Sequence, residues 1–368
     1  MLETKLRDVA EYSFSRHETF APRFGWLHKA YTALRDGRLG SEVFLQEDAP
    51  VALGVGKNMV NAIRFWSQAF KISVEYPKGG TSRAFAAGVT WEARWLLDED
   101  GADPYLEDPG SLWLLHWWLL SDPCFVPSWW VAFHALSSSR FTEASLTETI
   151  VRNVRAAEWE LPAAASIAKD ADCITKMYAR RKTPTGSPGS FEDLLDCPFR
   201  ELGLLESVEV QRAGDRSSER IWQFTGTART SLPARVVAYA CLDYADRNEA
   251  LRNGGSVALA RLANEPGGPG RTFRLREPEI AGALEDVAAR NERLVMTEGI
   301  GQRSLAFTGS PRELAWDILD SHYGNVRLRP GFPDRDSWYT DHPEVAKQLQ
   351  ERAEGRTRRQ LVLAGDAA

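Results

Sequence analysis

The sequence LGVGKNMVNAIRFWSQAF spans residues 53–70 and joins a turn with two glycines to an amphipathic helix. Apolar residues at steps of three and four lie on one side of that helix and indicate a face that packs on a core. This stripe consists of Met59, Val60, Ile63, Trp66 and Phe70. We therefore expect a tight turn at Gly54 and Gly56 and a helix from Lys57 to Phe70.

The opposite side of the predicted helix is polar and carries no carboxylate. Lys57, Asn61, Arg64 and Gln68 follow one another at helical spacing, and Asn58 lies next to the first of them. Lysine and arginine neutralise phosphates or reach guanine, whereas asparagine and glutamine match the hydrogen-bonding edge of adenine. These five residues are our candidate DNA contacts. The alternative is the solvated face that any surface helix has.

The glycine turn also invites comparison with a nucleotide-binding phosphate loop. That motif needs a glycine five positions before its Gly-Lys pair and Ser or Thr directly after it. Val51 and Asn58 occupy those positions here, so we expect no nucleotide cofactor. The turn could still bring backbone N–H groups at the start of the helix close to a DNA phosphate.

The composition restricts the type of DNA contact and the compartment. The 368 residues carry a formal net charge of −6, so DNA would have to bind a local basic face. One basic cluster is Arg180-Arg181-Lys182, a candidate phosphate contact or simply a solvated surface. Four scattered cysteines favour a reducing compartment and no zinc module. The N-terminus does not look like a secretory signal, and the apolar run at residues 112–120 is too short to cross a membrane. These features predict a cytoplasmic protein.

Helices followed by hairpins recur three times along the chain. They predict a mainly α fold with short β-hairpins, of the α+β class, with several winged-helix-like units on a helical scaffold. The expected organisation is a winged-helix-like DNA-binding domain at residues 1–97, a tryptophan-rich helical core region at 98–160, second and third winged-helix-like units at 161–250 and 251–345, and a loose basic tail at 346–368. Such units also bind proteins, so the fold alone does not establish DNA binding.

Some element predictions are more specific. In the first segment we expect a strand at Ile72–Tyr76 and then a helix at Ala84–Leu97. In the last we expect a short helix at Val257–Leu262 and a hairpin that pairs Leu294–Met296 with Ser304–Phe307. The tryptophan-rich residues 112–136 predict two buried helices, with His116 as a satisfied core histidine.

Six stretches between residues 14 and 330 resemble, in order, an uncharacterised domain family of bacterial defence gene clusters. They are Phe14-Ser15-x-His17-Glu18-Thr19-Phe20, Arg23-Phe24-Gly25-Trp26-Leu27, Leu53-Gly54-Val55-Gly56-Lys57-Asn58-Met59-Val60, Asp103-Pro104-Tyr105-Leu106-Glu107-Asp108, Leu112-Trp113-Leu114-Leu115-His116-Trp117 and Asp196-Cys197-Pro198-Phe199. That family is similar to SspB, the nicking component of single-strand DNA phosphorothioation systems. The resemblance implies that double-stranded DNA is bound and nicked so that sulfur replaces a non-bridging oxygen. It also implies partners, namely a cysteine desulfurase and an ATPase, and a homodimer is a further possible assembly.

Nicking needs a base, charge neutralisation and often a divalent metal such as Mg²⁺ or Mn²⁺. His17 and Glu18 are the candidate catalytic pair, with His17 as the base and Glu18 as a metal ligand. The alternative is that Glu18 caps or pairs inside the domain. A second acidic stretch, Asp98–Asp108, is better explained as a loop leading into a helix.

Three functions fit these patterns. The first is a DNA-nicking endonuclease, the second is a non-catalytic DNA-binding scaffold that positions modification enzymes, and the third is a protein-interaction module. Nicking and gel-shift assays separate them.

Overall fold

The structure is a computed structural model that describes residues 4–35, 41–78, 85–179, 197–211, 218–226, 229–299 and 301–353. These residues form an α+β fold in which many helices surround three small antiparallel sheets. The predicted α+β class is confirmed. The basic cluster Arg180-Arg181-Lys182 lies outside the described residues.

The first part of the chain contains five helices and one hairpin. Its helices are α1 (Leu6–Val9), α2 (Trp26–Arg35), α3 (Ala49–Leu53), α4 (Lys57–Ala69) and α5 (Trp91–Leu97). Strands β1 (Ser73–Pro77) and β2 (Phe85–Val89) pair in register from Ser73↔Val89 to Pro77↔Phe85. The helix predicted over Ala84–Leu97 is therefore wrong in its first half, because Phe85–Val89 pairs with β1 and only the second half is helical. Short strands rich in alanine resemble helices in a single sequence.

The glycine turn joins α3 to α4. Gly54 follows α3 with φ 62°, a left-handed conformation that ends the helix and favours glycine. Gly56 is the residue before α4 and has φ −70°, which any residue adopts. Only one of the two glycines is thus required by backbone geometry, and α3 is a helix that the sequence did not predict.

The tryptophan-rich region forms the centre of the molecule. Helix α6 (Pro109–Leu120) is apolar on all sides and buried, as expected for a helix surrounded by protein. Helix α7 (Pro127–Trp130) continues into a π-helical turn at Val131–Ala135. The two predicted buried helices are confirmed. His116 bonds to the Tyr178 hydroxyl and the Thr272 carbonyl, which confirms the predicted core histidine.

The second sheet follows this region. It contains β3 (Arg140–Phe141), β4 (Leu205–Gln211) and β5 (Ser218–Phe224) in the order β3-β5-β4. Helices α8 (Glu143–Ala156) and α9 (Ala164–Tyr178) lie between β3 and β4 in the chain. Thr142 caps the start of α8 through the Ser145 N–H group.

The third sheet has the same order, β6-β8-β7. Its strands are β6 (Ser256–Ala258), β7 (Leu294–Gly299) and β8 (Gln302–Phe307). The helices of this part are α10 (Ala234–Arg247), α11 (Glu249–Gly254), α12 (Leu259–Asn264), α13 (Pro269–Phe273), α14 (Glu277–Ala288) and α15 (Pro311–His322). The predicted hairpin β7–β8 is confirmed. The short helix predicted at Val257–Leu262 is wrong at its start, because Val257 pairs with Leu305 in the sheet.

The C-terminal part returns to the first hairpin. Helix α16 (Arg335–Asp341) packs on α5, where Arg335 and Tyr339 both contact Glu92. Residues 343–353, which we call the C-terminal helix, are also helical, and Val345 in it is 3% exposed. One hydrophobic cluster extends from Leu6 to Val326 through all these parts. Among the described residues, no helix is long and apolar enough to span a membrane.

Candidate nucleic-acid interface

Helix α4 presents its polar residues unequally. Lys57, Asn58 and Asn61 near its start are exposed, whereas Arg64 and Gln68 near its end are half-buried. The second half lies deeper because Trp66 and Phe70 enter the aromatic core beside it. The exposed polar face is therefore shorter than the predicted one and occupies only the first two turns of the helix.

Arg64 has a carboxylate partner that the sequence of α4 does not reveal. Both guanidinium edges face Glu75 on β1, with Arg64 Nη2 donating to Glu75 Oε2 over 2.9 Å and Arg64 Nε donating to Oε1. A bidentate pair of this kind uses the planar geometry of arginine and neutralises its charge locally. Arg64 thus contributes less positive charge to the surface than the exposed Lys57.

A second segment reaches the same surface. The residues Ser15–Phe20, which we call the His17 loop, lie against α4, and Asn61 Nδ2 donates to Glu18 Oε1 over 3.4 Å. Glu18 is exposed, as are Arg16 and Thr19 on the same loop. The structure therefore brings the predicted residue Glu18 together with the predicted DNA-contacting end of α4.

His17 is oriented inward, away from that surface. Its side chain is 1% exposed, and Nε2 lies 3.0 Å from Asp170 Oδ1 on α9. The ring packs against Phe65, Trp66 and Trp129. A general base must reach the proton that it removes, and the buried ring has no such access in this conformation. The geometry gives His17 a structural contact and leaves Glu18 as the accessible member of the predicted pair.

Three exposed basic side chains belong to these segments, with Arg16 on the His17 loop, Arg23 shortly after it and Lys57 at the start of α4. Arg23 also lies over the rings of Phe20 and Trp26 at 5.7 and 5.8 Å. Lys29 has a different role, because its Nζ donates to the Leu53 carbonyl over 2.9 Å and fastens the turn before α4. These residues supply exposed positive charge on an acidic protein, which the predicted DNA contact would require.

The acidic stretch Asp98–Asp108 is structural. Asp103 accepts the N–H groups of Glu107 and Asp108 and the Ser111 hydroxyl, and Asp108 caps α6 through Gly110. The predicted loop leading into a helix is confirmed. Among the residues that the structure describes, no group of three or more His, Cys, Asp or Glu side chains could hold a metal ion.

Glu18 remains the predicted metal ligand, as a single exposed carboxylate. Mg²⁺ commonly keeps several waters and binds one or two carboxylates together with substrate phosphates. One exposed glutamate fits that donor set only where water and the phosphate oxygens of a ligand complete it.

Gln68 faces a different feature, a cavity of about 460 Å³ between α4, α10, α15 and the C-terminal helix. Half-buried Lys71 also lines it, with Nζ donating to the Ser121 carbonyl over 2.8 Å. Burial is the largest cause that lowers the pKa of Lys71 well below its usual range, and nearby Arg247 adds to it. The structure therefore separates Gln68 from Lys57 and Asn61.

Sequence reasoning placed Lys29 near His17 and Glu18 as a phosphate contact, and it missed two residues that shape this surface, namely Glu75 and Asp170. Each acts across a gap in the chain, and Asp170 is 153 residues from His17. Periodicity describes neighbours within one helix and carries no signal for such contacts.

The family of this chain follows from its sequence. Residues 14–323 match the family described as "Protein of unknown function (DUF4007)", and the chain belongs to that family. It is also similar to a magnesium ion-bound crystal structure of SspB, with 56% identity over 96% of this chain and 100% of that one and a TM-score of 0.86. A second SspB crystal structure gives 56% identity, 95% and 99% coverage and a TM-score of 0.85. Among curated protein sequences, none matches significantly.

Proposed function

We propose that this protein is the DNA-nicking component of a bacterial DNA phosphorothioation system that acts in anti-phage defence. The observation that carries the proposal is the 56% identity to SspB over 96% of the chain. At that identity, fold and surface chemistry are expected to be shared. Double-stranded DNA is the substrate, and hydrolysis of one phosphodiester bond in one strand prepares the site for sulfur incorporation.

Strand order supports winged-helix-like units in this protein. In β3-β5-β4 and in β6-β8-β7, the first strand pairs with the last, and helices precede the second strand. The described residues contain two α-helices, α8 and α9, between β3 and β4 and three, α12 to α14, between β6 and β7. A winged helix likewise has helices followed by a wing hairpin. The first unit has the helices α2 and α4 and the two-stranded hairpin β1–β2. We infer that α4 is its DNA-reading helix, with Lys57, Asn58 and Asn61 as contacts.

Chemistry in this proposal is centred on Glu18. With Mg²⁺ or Mn²⁺ bound, the ion would supply charge neutralisation at the phosphate. Glu18 would hold that ion, and Arg16, Arg23 and Lys57 would fix the neighbouring backbone phosphates. The partners in the cell would be a cysteine desulfurase and an ATPase of the same system. The protein would act in the cytoplasm, and a homodimer is the assembly that we propose.

A plasmid assay tests this function. Purified protein, supercoiled plasmid and Mg²⁺ or Mn²⁺ should yield open circles, and EDTA should stop the reaction. A gel shift on the same DNA at low and high salt should show binding that weakens with salt. Open circles that never form with either metal would contradict the nicking activity.

The second candidate is a DNA-binding scaffold without catalysis. It is favoured by the buried position of His17 and by the finding that the described residues contain no group of three or more His, Cys, Asp or Glu side chains that could hold a metal ion. It predicts salt-sensitive DNA binding, unchanged plasmid topology and co-purification with the modification enzymes. A protein with no DNA affinity at low salt would support the protein-interaction module instead.

A further inference from the structure

The His17 loop has an unusual backbone. Ser15, Glu18 and Thr19 have φ values of 54°, 51° and 67°, in the left-handed region. Residues other than glycine rarely adopt this region, and a β-branched residue such as Thr19 does so at particular cost. A loop with three such residues keeps its conformation only when its surroundings hold it there.

One buried carboxylate provides most of that constraint. Asp170 is 1% exposed and accepts hydrogen bonds from the Ser15 N–H at 2.8 Å and from His17 Nε2 at 3.0 Å, both at Oδ1. Its other oxygen, Oδ2, accepts from the Ser128 hydroxyl at 2.6 Å. The carboxylate therefore joins the loop to α9 and α7, and its buried charge is shared among three donors.

The far end of the loop is fastened separately. Trp66 Nε1 donates to the Phe20 carbonyl over 2.9 Å, and the Phe20 N–H donates to the His17 carbonyl over 2.9 Å. Both ends are thus held while Arg16, Glu18 and Thr19 between them stay exposed. Buried side chains fix the loop, and exposed ones are available for a ligand.

We propose that Asp170 is a positioning residue, which holds the His17 loop in its strained conformation so that Glu18 faces DNA beside Asn61. The inference rests on the proposed function for the identity of the ligand, but the positioning itself does not depend on catalysis. Asp170 touches no substrate. It acts through Ser15 and His17 on the placement of the Glu18 side chain, which is three residues from Ser15 and next to His17.

Cross-linking measures this placement without any activity. Glu18→Cys combined with Asn61→Cys places thiols on the two residues whose side-chain ends meet, and the four native cysteines are buried. Cysteine side chains are shorter than those they replace, so a short bismaleimide, which spans more than a disulfide does, is the cross-linker. Cross-linking of the new thiols should be fast with Asp170 intact. Asp170→Ala in the same background should slow it about tenfold or more, because the loop leaves its strained conformation.

Three further variants sharpen the test. Asp170→Asn keeps one oxygen that can accept from Ser15 and His17, so it should restore most of the cross-linking rate. Ser128→Ala removes a single donor, should leave the protein folded and should slow the reaction by a smaller factor. Asp172→Ala on the same helix removes an exposed partner of Lys176, 2.6 Å away, and should have no effect.

Nicking then gives the functional readout. Without the cysteine substitutions, Asp170→Ala should lower kcat about tenfold or more while the Kd for DNA changes less than about threefold, as expected for misplacement of a reacting group. Equal cross-linking rates in the wild-type, Asp170→Ala and Ser128→Ala backgrounds would overturn the positioning role. Cross-linking that depends on Asp170 in a protein that never nicks would uphold the positioning role and reject the nicking function.

Discussion

Arg64 Nη2 lies 2.9 Å from Glu75 Oε2, and this ion pair divides α4 into two functional halves. Before it, Lys57 and Asn61 face outward beside Glu18. After it, half-buried Gln68 lines a cavity that is partly open to solvent. The helix therefore serves both the surface and the core, and a charge that looks free in the sequence is neutralised by the neighbouring strand.

Lys57 and Arg64 should differ in their contribution to DNA binding. Lys57→Ala should weaken binding and reduce the slope of log K against log salt by about 0.9, since one phosphate contact is lost. Arg64→Ala should change the slope less, because Glu75 already neutralises this guanidinium. Fluorescence anisotropy from low to high salt measures both slopes. A larger effect of Arg64→Ala on the slope would show that the ion pair opens when DNA binds.

Glu18 should matter for cleavage and little for affinity. Glu18→Ala should lower the nicking rate by about a hundredfold or more, in line with the loss of a group that acts in the transition state. Binding should stay the same or tighten slightly, because a negative charge leaves the DNA-facing surface. Glu249→Ala, an exposed glutamate at the start of α11, is the matched control and should nick normally. Full activity of Glu18→Ala would remove this residue from the site.

Acid should destabilise the fold through His116. Burial is the main cause that lowers its pKa from 6.5 to about 3. Between those values the unfolded chain binds a proton that the folded chain does not, so stability rises with pH and is lost as pH falls. Through His116 alone, the free energy of unfolding should fall by about 2 kcal/mol between pH 7 and pH 5.

Urea unfolding at the two pH values checks this contribution. His116→Gln should lower stability at pH 7, because the bonds to Tyr178 and Thr272 are disturbed, and should also flatten the pH dependence. An unaltered slope in the His116 variant would mean that another group, such as buried His134, dominates the acid response.

Gly88 should be essential for docking of the C-terminal helix. A Cβ atom at this position on β2 would lie 2.5 Å from Val345 Cγ2. Gly88→Ala should therefore destabilise the protein by about 1–3 kcal/mol, as overpacking does. Limited proteolysis should then cut near residues 343–353 sooner than in the wild type.

Val345→Ala tests the same contact from the other side. In the double variant with Gly88→Ala, the Val345 methyl groups that would clash with the new alanine Cβ are gone, so part of the lost stability should return. The double variant should therefore be more stable than the sum of the two single effects predicts. If the two substitutions add, the C-terminal helix does not rest on β2 in solution.

Local sequence patterns were sufficient for α4 and for the two later hairpins. The apolar residues from Met59 to Phe70 recur at helical spacing. In Leu294–Gly299, larger apolar residues come before a clear glycine turn. Phe85–Val89 shows the limit of such patterns. Its small residues are compatible with a helix, and only pairing with β1 makes it a strand.

By itself, the sequence determined which polar residues share one face of α4, because residue type and helical spacing define that face. It also determined the net negative charge of the protein and the wide spacing of its four cysteines. Only the tertiary structure decided which of those residues are available. Glu75 neutralises Arg64, the aromatic core buries His17, and Asp170 fixes the loop that leaves Glu18 exposed beside Asn61. Charge pairing and burial depend on residues far apart in the chain, and the spacing of residues within a single helix does not encode them.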